Sequence, residues 1–422
     1  MIDIKYIREN PESVKNACQV KGFADHVDEI LALDKRVREL KTITQTMTAE
    51  KNKITREIPA ATDKAPLIAR SKEIGNEIAA DMAELADKEA ELNELLHCVP
   101  QIPSADAPIG RDDSDNVEVR RVGTPREFDF EPKDHVQLGE ELDIIDFDRG
   151  TKVSGPKFYY LKNEAVFLEQ ALIMYALNIL RKHNFQMFIT PDVAKEEVLK
   201  GIGFNPRGNE SNVYSIEEEG TCLVATAEIT LGGYHQDEIL DKESLPRFYG
   251  GLSHCFRREA GAAGQFSKGL YRVHQFDKVE MFAYSTPEQS DEIHEKLRQI
   301  EEEIFEGLGL PFHVVDTCTG DLGAPAYRKW DLEAWMPGRN GGEYGEVTST
   351  SNCTDYQARR LNIKYKDDDG KNKYVHTLNG TAIAVGRAML AILENYQNAD
   401  GSVTIPEVLV PYCGFDTIKP KK

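Results

Sequence analysis

Residues 28–99 carry a heptad repeat, the feature that most restricts how this 422-residue chain can fold. In the first half, apolar residues recur at alternating steps of three and four, at Ile30, Leu33, Val37, Leu40, Met47, Ile54 and Ile58. A second series runs through Ile74, Ile78, Leu85, Leu92, Leu95 and Val99. Such spacing places one apolar stripe along each of two helices. Between the two series, Pro59 and Pro66 flank a short polar stretch that interrupts the helix.

The two stripes predict an antiparallel helical hairpin (about 28–99), with arms of about 30 residues that are each about 45 Å long. A free-standing coiled coil is most often a dimerisation or spacer device, but a hairpin can bury its seam on itself. Basic residues are concentrated on the first helix, and the second helix is mostly acidic. Mixed charges usually mark a solvated face. The basic excess can alternatively contact a phosphate backbone, and its members include Lys35, Arg38, Lys51 and Lys53.

Composition divides the chain into an N-terminal domain at 1–100, a linker at 101–116 and a larger domain at 117–422. The middle segment is rich in proline and aspartate, which is typical of a linker. The larger domain mixes helix and strand patterns. It is long enough to contain a substantial core of its own.

Composition also bears on location and ligands. No apolar run is long enough to span a bilayer, and the charged N-terminus is unlike a secretory signal, so no membrane association is expected. Seven scattered cysteines without a Cys-x-x-Cys pair argue against a structural zinc site or a disulfide framework, and favour the reducing cytoplasm. The formal charge of −21 argues against nucleic-acid binding, although it is compatible with a local basic face.

Residues 253–284 have the pattern of a long hairpin, in which two apolar runs flank a glycine-rich, partly basic loop. Charged residues stand at the inner ends of its strands, among them Arg257, Glu259 and Glu280. A buried charge is costly unless it is paired or meets a charged ligand. Arg257 can grip a phosphate bidentately, and Glu259 can accept a hydrogen bond from an exocyclic amine. Satisfied ion pairs would be the preferred interpretation of an isolated Arg-x-Glu.

A second charged position lies near the C-terminus. A turn that carries the hydroxyl of Thr381 leads into a helix of small residues that contains Arg387. A charged residue among Ala, Val and Gly needs a partner. That partner is either a nearby carboxylate or an anionic ligand.

These segments, in this order, resemble the three motifs of the class II aminoacyl-tRNA synthetases. Residues 253–284 look like motif 2, and the stretch from Glu259 to Met281 is specifically similar to the seryl-tRNA synthetases. Residues 378–390 look like motif 3. An amphipathic helix at 167–183, with a strand that ends at Pro191, looks like motif 1, which forms the dimer interface in that class.

Two further segments support the resemblance, which covers essentially the whole chain. Val224–Glu228 looks like the serine-binding loop of the family, and residues 335–352 look like the strand that holds ATP and its metal. The resemblance implies an α+β fold, in which a class II catalytic domain on a mainly antiparallel sheet follows an antiparallel coiled-coil hairpin. It also implies a homodimer that uses serine, ATP with Mg²⁺, and tRNA(Ser). Whether selenocysteine tRNA is also a partner is left open.

The resemblance assigns roles to individual residues. The implied catalytic residues are Arg257, Glu259 and Arg387. Serine would be bound by Thr226, Ala227, Glu228, Arg257, Glu280, Asn379 and Thr381. ATP would be bound by Arg257, Arg258, Glu259, Glu346, Val347, Thr348, Ser349 and Arg387. The metal ligands would be Glu346 and Ser349, and tRNA would be contacted by Lys35, Arg38, Lys51 and Lys53.

One departure and two alternative functions remain. The loop 262–268, expected to touch the acceptor end of tRNA, is less charged than is common in the family. A seryl-like ligase that loads a carrier protein would keep the catalytic residues, but it would have no need of the long arm. A catalytically inactive relative that serves as a coiled-coil binding module would have no need of Arg257, Glu259, Glu280 and Arg387.

Overall fold

The computed structural model describes residues 1–204, 212–260 and 266–421. These residues belong to two compact units, Met1–Ile102 and Pro103–Lys422. Each unit has a hydrophobic core of its own. Within the described ranges, no helix is both long enough and apolar enough to cross a membrane.

The first unit is helical. Its helices are α1 (Ile4–Glu9), α2 (Pro11–Val20), α3 (Val27–Glu57) and α4 (Ala65–Cys98), with a 3₁₀ turn at Ile58–Ala60. Ion pairs show that α3 and α4 run antiparallel: Arg36 Nε lies 2.8 Å from Glu84 Oε1, and Arg70 Nη2 lies 3.3 Å from Glu50 Oε1. The hairpin predicted from the heptad repeat is therefore confirmed.

Burial along the hairpin seam is greatest at its base. Ile30 and Leu40 are fully buried there. Ile74 of α4 is an exception, because it is fully buried in the outer half of the arm, next to Gly75, which Lys51 of α3 approaches. Met47 and Ile54, farther along α3, are only half-buried. The base is covered by α1 and α2 as well as by α4. Farther out, two helices shield only the sides that face each other, so the same heptad pattern excludes less water.

The second unit is built on a large twisted sheet. Its eight strands among the described residues are β1 (Val117–Val122), β2 (Gln186–Ile189), β3 (Arg247–Phe256), β4 (Gln275–Ser285), β5 (Phe312–Asp316), β6 (Arg328–Met336), β7 (Glu343–Thr354) and β8 (His376–Ala384). Their order across the sheet is β1-β5-β6-β7-β8-β4-β3-β2. All neighbouring strands are antiparallel except the parallel pair β2 and β3. The mainly antiparallel sheet is as predicted.

Helices and small sheets surround this large sheet. The helices are α5 (His135–Glu141), α6 (Phe147–Ser154), α7 (Glu164–Lys182), α8 (Glu196–Ile202), α9 (Ala227–Gly233), α10 (Ser290–Gly307), α11 (Tyr356–Leu361), α12 (Val385–Asn395) and α13 (Val410–Cys413). The small sheets pair Ile145–Asp146 with Tyr160–Leu161, Val403–Thr404 with Thr417–Ile418, Val193–Lys195 and Ser215–Ile216 with Thr221–Leu223, and Ile239–Asp241 and Asn372–Tyr374 with Lys364–Lys366.

Strand β4 separates two cores. Val279 and Met281 point into the larger core, which α7, α10 and α12 cover. Phe282 and Tyr284 point the other way, into a smaller core that includes residues of α9 and α11. Because side chains alternate along a strand, the residues of β4 at even positions share the second face.

The segment predicted to be a linker is attached to the second unit. Ser104 donates its N–H to the carbonyl of Tyr327 at 2.8 Å, and the carbonyl of Pro108 accepts from Thr319 at 2.8 Å. A 3₁₀ turn at Asp113–Asp115 precedes β1. Other 3₁₀ turns lie at Lys242–Ser244, Gly269–Tyr271, Pro287–Gln289, Thr319–Asp321 and Glu407–Leu409.

Candidate active site

A cleft lies where β4, β7, β8 and the start of α12 come together. Its walls include Arg257, Glu259, Glu346 and Arg387, four of the residues predicted to contact ATP. The other lining residues are Leu270, Tyr271, Arg272, Val273, Phe276, Lys278, Val347, Thr348, Thr381, Ala384 and Gly386. The fold thus brings cationic and carboxylate side chains from distant parts of the sequence into the wall of one cleft.

Arg257 and Glu259 stand just beyond the end of β3. The N–H of Arg257 donates to the carbonyl of His274 at 3.0 Å, its Nε donates to the carbonyl of Ala225 at 3.3 Å, and its guanidinium lies 5.3 Å from the centre of the Phe276 ring. Glu259 has a φ of +49° and accepts a hydrogen bond from Arg272 at 3.3 Å. These contacts fix both charged groups in the wall of the cleft.

Arg387 reaches across from the first turn of α12 to β7. Its Nη1 lies 2.9 Å from the carbonyl oxygen of Glu346 and 3.2 Å from the Oε1 of the same residue. Its Nε donates to the carbonyl of Tyr271 at 3.3 Å. Burial tends to raise the pKa of Glu346, but the charge of Arg387, with that of Lys329, brings the pKa below its ordinary value. The carboxylate is therefore ionised at neutral pH.

A buried ion pair lies on one face of β4, where Lys278 lines the cleft and Glu280 stands just outside its lining. Lys278 contacts Glu280, and these residues are only 6% and 1% exposed. Lys278 also donates to the hydroxyl of Thr381 at 3.4 Å. Burial raises the pKa of Glu280, against the opposing charges of Lys278 and Arg257 and a hydrogen bond from Thr226. Carboxylate, ammonium and hydroxyl groups together suit a small polar amino acid.

A second carboxylate lies next to this pair. Glu228 Oε1 accepts hydrogen bonds from Asn379 at 2.9 Å and from Gln357 at 2.8 Å. Burial and then the nearby charge of Glu280 raise the pKa of Glu228 to about 7. Thr226 caps α9 by accepting from the N–H of Glu228 at 3.2 Å, and Ala227 is buried in the first turn. Thr226, Ala227, Glu228 and Asn379 are thus grouped behind Glu280, outside the cleft lining.

A bulge in β7 decides where its polar residues point. Leu332 pairs with Thr348 and Glu333 pairs with Glu346, so Val347 is the extra residue. Val347 packs in the larger core, and the hydroxyl of Thr348 donates to Glu301 of α10 at 3.0 Å. Thr348 borders the cleft, but its hydroxyl is engaged elsewhere, whereas the carboxylate of Glu346 is in the cleft.

The two predicted metal ligands differ in their surroundings. Ser349 is hydrogen-bonded to Asp331, whose pKa burial raises to about 6 against the charge of Lys329. No three His, Cys, Asp or Glu side chains in the described ranges form a group that could hold a metal ion alone. Mg²⁺ usually needs only one or two carboxylates besides phosphate oxygens and water. The ionised Glu346 fits that requirement, with the hydroxyl of Ser349 three residues along β7.

Arg258 is placed differently from its neighbours. Its side chain is exposed and is not part of the cleft, and its N–H donates to the carbonyl of Asn212 at 2.9 Å. Of the loop 262–268, residues 262–265 lie outside the described ranges. Beyond them, the ring of Phe266 packs edge-on against Tyr271 at 5.3 Å, and Lys268 forms an ion pair with Asp134.

Of the cleft residues that were not anticipated from sequence, four carry an aromatic or charged side chain. Phe276 and Lys278 precede Glu280 at intervals of two, so the strand period alone places all three on one face of β4. Tyr271 and Arg272 carry no such signal, because a 3₁₀ turn at Gly269–Tyr271 sets their positions.

The four basic residues predicted to contact tRNA are not equivalent on the hairpin. Lys35 and Arg38 are exposed and line one shallow groove with Glu39, Thr42 and Ile43. Arg38 also forms an ion pair with Asp34 at 3.0 Å. Lys53 is exposed and lines another. Lys51 instead leans towards α4, where its Nζ lies 2.9 Å from the point that a Cβ on Gly75 would occupy.

Comparison with known proteins gives a consistent result for both units. Residues 1–103 match the seryl-tRNA synthetase N-terminal domain, and residues 213–396 match the tRNA synthetase class II core domain (G, H, P, S and T). The serine--tRNA ligase of Treponema denticola is 67% identical over 99% of this chain and 100% of its own length. That of Treponema pallidum (strain Nichols) is 54% identical over the full length of both chains.

Solved structures agree. A crystal structure of seryl-tRNA synthetase from Pyrococcus horikoshii complexed with ATP superposes with a TM-score of 0.94 at 44% identity, covering 100% of both chains. The cytoplasmic serine-tRNA ligase of Naegleria fowleri, in complex with AMP, gives a TM-score of 0.88 at 33% identity. Together with the full-length sequence relatives, these matches show that the chain belongs to the seryl-tRNA synthetases.

Proposed function

We propose that this enzyme is a serine--tRNA ligase, which activates serine with ATP and then transfers it to the 3′ end of tRNA(Ser). The observation that carries the proposal is one cleft in which Arg257, Glu346 and Arg387 meet Lys278, whose ammonium pairs with the buried Glu280 just outside the cleft lining, in a chain 67% identical to a serine--tRNA ligase. Arginines suit a polyphosphate, and the buried pair with its hydroxyls suits serine.

The first step joins the serine carboxylate to the α-phosphorus of ATP and releases pyrophosphate. We assign Arg257 to the α-phosphate and Arg387 to the outer phosphates, because both guanidiniums are already held in the cleft wall. Glu259 would accept a hydrogen bond from the adenine amino group. The protein then acts by positioning reactants and by stabilising the charge that develops at phosphorus, without a covalent enzyme intermediate.

Mg²⁺ is expected to accompany ATP. Glu346, ionised and beside Arg387, would hold it with help from Ser349. When bound, the metal neutralises phosphate charge and orients the oxygens for displacement.

The serine pocket is assigned to the group around Glu280. Glu280 would accept from the amino group of serine, and Thr226 and Thr381 would bond its side chain or carboxylate. Alanine lacks the hydroxyl of serine and would leave buried polar groups unpaired. Sites of this kind discriminate by roughly 10⁴-fold or more without editing.

The hairpin formed by α3 and α4 is the proposed grip on tRNA. Lys35, Arg38 and Lys53 present exposed cations to solvent, as contacts to an RNA backbone require. Lys51 is retained in the proposal, although its ammonium leans towards α4.

A homodimer is proposed on the motif 1 face. Phe167 and Met174 of α7 are 57% and 45% exposed, and Ile189 of β2 is 86% exposed. Large apolar side chains grouped on two adjoining elements indicate a surface that a second copy covers. The cytoplasm is the proposed location, because none of the seven cysteines, all within the described ranges, forms a disulfide.

Serine-dependent exchange between ATP and pyrophosphate, followed by charging of total tRNA, tests the proposal. We expect exchange that requires serine and that alanine does not support. We also expect charging of a serine tRNA. Exchange without tRNA charging would favour a ligase that loads a carrier protein, and no exchange would favour an inactive binding module. Separate purified tRNAs in the same assay decide whether selenocysteine tRNA is charged.

A further inference from the structure

Tyr271 is shared by two arginines that come from different parts of the chain. The guanidinium carbon of Arg387 lies 4.5 Å from the centre of its ring, and that of Arg339 lies 4.8 Å from the same point. Arg387 also donates to the carbonyl of Tyr271. Contacts between a guanidinium and an aromatic face within about 6 Å are attractive. The ring therefore links Arg387 to Arg339.

Arg339 is held in this place by aromatic contact more than by hydrogen bonds. Its guanidinium also lies 4.9 Å from the centre of the Phe266 ring. Its Nε and Nη1 are both buried without a hydrogen-bond partner among the described residues, and Nε makes only an ion pair with Glu343, at 3.5 Å. Only 20% of its side chain is exposed. Because burial without these hydrogen bonds is unfavourable, the contacts with the two rings must contribute to holding the guanidinium in place.

The backbone beside Arg339 leaves room for this arrangement. A Cβ on Gly345 would lie 2.9 Å from Nη1 of Arg339 and 3.2 Å from the Tyr271 ring. Gly345 directly precedes Glu346, the ion-pair partner of Arg387. Arg339, Tyr271 and the strand that carries Glu346 are thus packed against one another.

We propose that Arg339 is a positioning residue for ATP binding: it fixes the Tyr271 ring, and the fixed ring orients Arg387 towards the phosphates. The inference rests on the proposed function insofar as Arg387 is taken to contact ATP. Arg339 is not part of the cleft lining, so its effect reaches the nucleotide through Tyr271. Groups held before the ligand arrives lose less freedom on binding, and so they bind it more tightly.

The test measures ATP affinity directly by titration calorimetry in the full-length enzyme, beside the exchange assay. Arg339→Met keeps a long side chain but removes the cation. We expect it to weaken ATP about three- to tenfold, the range that a contact of this strength gives, and to leave the KM for serine within twofold. Arg339→Lys, which restores a cation without the planar fork, should recover part of the loss.

A double-mutant cycle separates positioning from direct contact. If Arg339 acts through the ring, then Arg339→Met adds little to the loss that Tyr271→Leu already causes. Arg126→Met is the matched control, since Arg126 stacks on Phe128 at 4.7 Å and does not line the cleft. It should leave ATP affinity unchanged.

Two results would overturn the inference: an unchanged ATP affinity in Arg339→Met, or fully additive losses in the cycle. A lowered melting temperature with normal ATP affinity would reduce Arg339 to a packing role and would also count against it. The proposed function fails separately, if the wild-type enzyme binds ATP but shows no serine-dependent exchange.

Discussion

The Lys278–Glu280 pair offers the sharpest test of how the serine pocket is built. Replacing Lys278 with Met keeps much of the volume but leaves Glu280 buried without its ammonium partner. Breaking a buried ion pair on one side costs about 3–5 kcal/mol. Arg257 and Thr226 remain near Glu280 and oppose the loss, so the lower end of that range applies.

This cost translates into a measurable melting shift. One kcal/mol moves the melting temperature by about 2 °C in a large domain, so Lys278→Met should lower it by about 6 °C or more. The double variant Lys278→Met, Glu280→Gln removes both charges and should regain most of that stability. It should not regain serine activation, because the carboxylate proposed to hold the amino group is gone.

Scanning calorimetry of the wild type, the single variant and the double variant provides the comparison. Pyrophosphate exchange at several serine concentrations is measured on the same preparations. A drop below about 2 °C in Lys278→Met, or a double variant no more stable than the single one, would show that the pair is not desolvated as described.

Three further predictions use other regions. Arg257→Ala should abolish pyrophosphate exchange in a folded protein, and near wild-type exchange would contradict its assignment to the α-phosphate. Burial lowers the pKa of His313, but the contacts with Glu333 and Glu118 outweigh burial and raise it overall. The stabilisation that the protonated imidazole gains from these two carboxylates should therefore be complete below about pH 6.5. It should be lost as pH rises through the raised pKa, so the melting difference between wild type and His313→Gln should shrink from pH 6 to pH 9; a constant difference would contradict this. Replacing residues 30–97 with a short Gly/Ser linker should preserve serine activation and greatly reduce tRNA charging, and normal charging would reduce the arm to a spacer.

The elements with a strong period were predictable, whereas the fine orientation of site residues was not. The heptad series fixed both hairpin arms, because a seam of apolar residues has few other ways to be buried. The strand that carries Glu280 was also predicted, as one arm of a long hairpin, from its apolar run. The β7 bulge was not, since a single unpaired Val347 turns the hydroxyl of Thr348 towards Glu301 and leaves no trace in the hydrophobic pattern.

Contacts between segments that are distant in the chain could not be predicted from the sequence either. Arg387 was expected to need a partner, and the structure gives it Glu346 and the Tyr271 ring. Arg339 was not predicted, because an arginine that follows Met-Pro-Gly has the pattern of an ordinary loop residue. Its proposed role depends on contact with the Tyr271 ring, which lies 68 positions earlier in the chain. Such a contact forms only when the folded sheet brings the two loops together.

A net charge of −21 is compatible with RNA binding because the hairpin keeps some of its basic residues away from its acidic ones. Arg36 of α3 forms an ion pair with Glu84 of α4, and Lys41 forms one with Glu89. The acidic second helix therefore neutralises one side of the basic first helix. Lys35 and its exposed neighbours on α3 remain outside those cross-helix pairs and face solvent. An acidic chain can therefore still carry a local strip of exposed basic residues, here Lys35 and its exposed basic neighbours on α3. An RNA backbone would contact this strip and not the average charge of the chain.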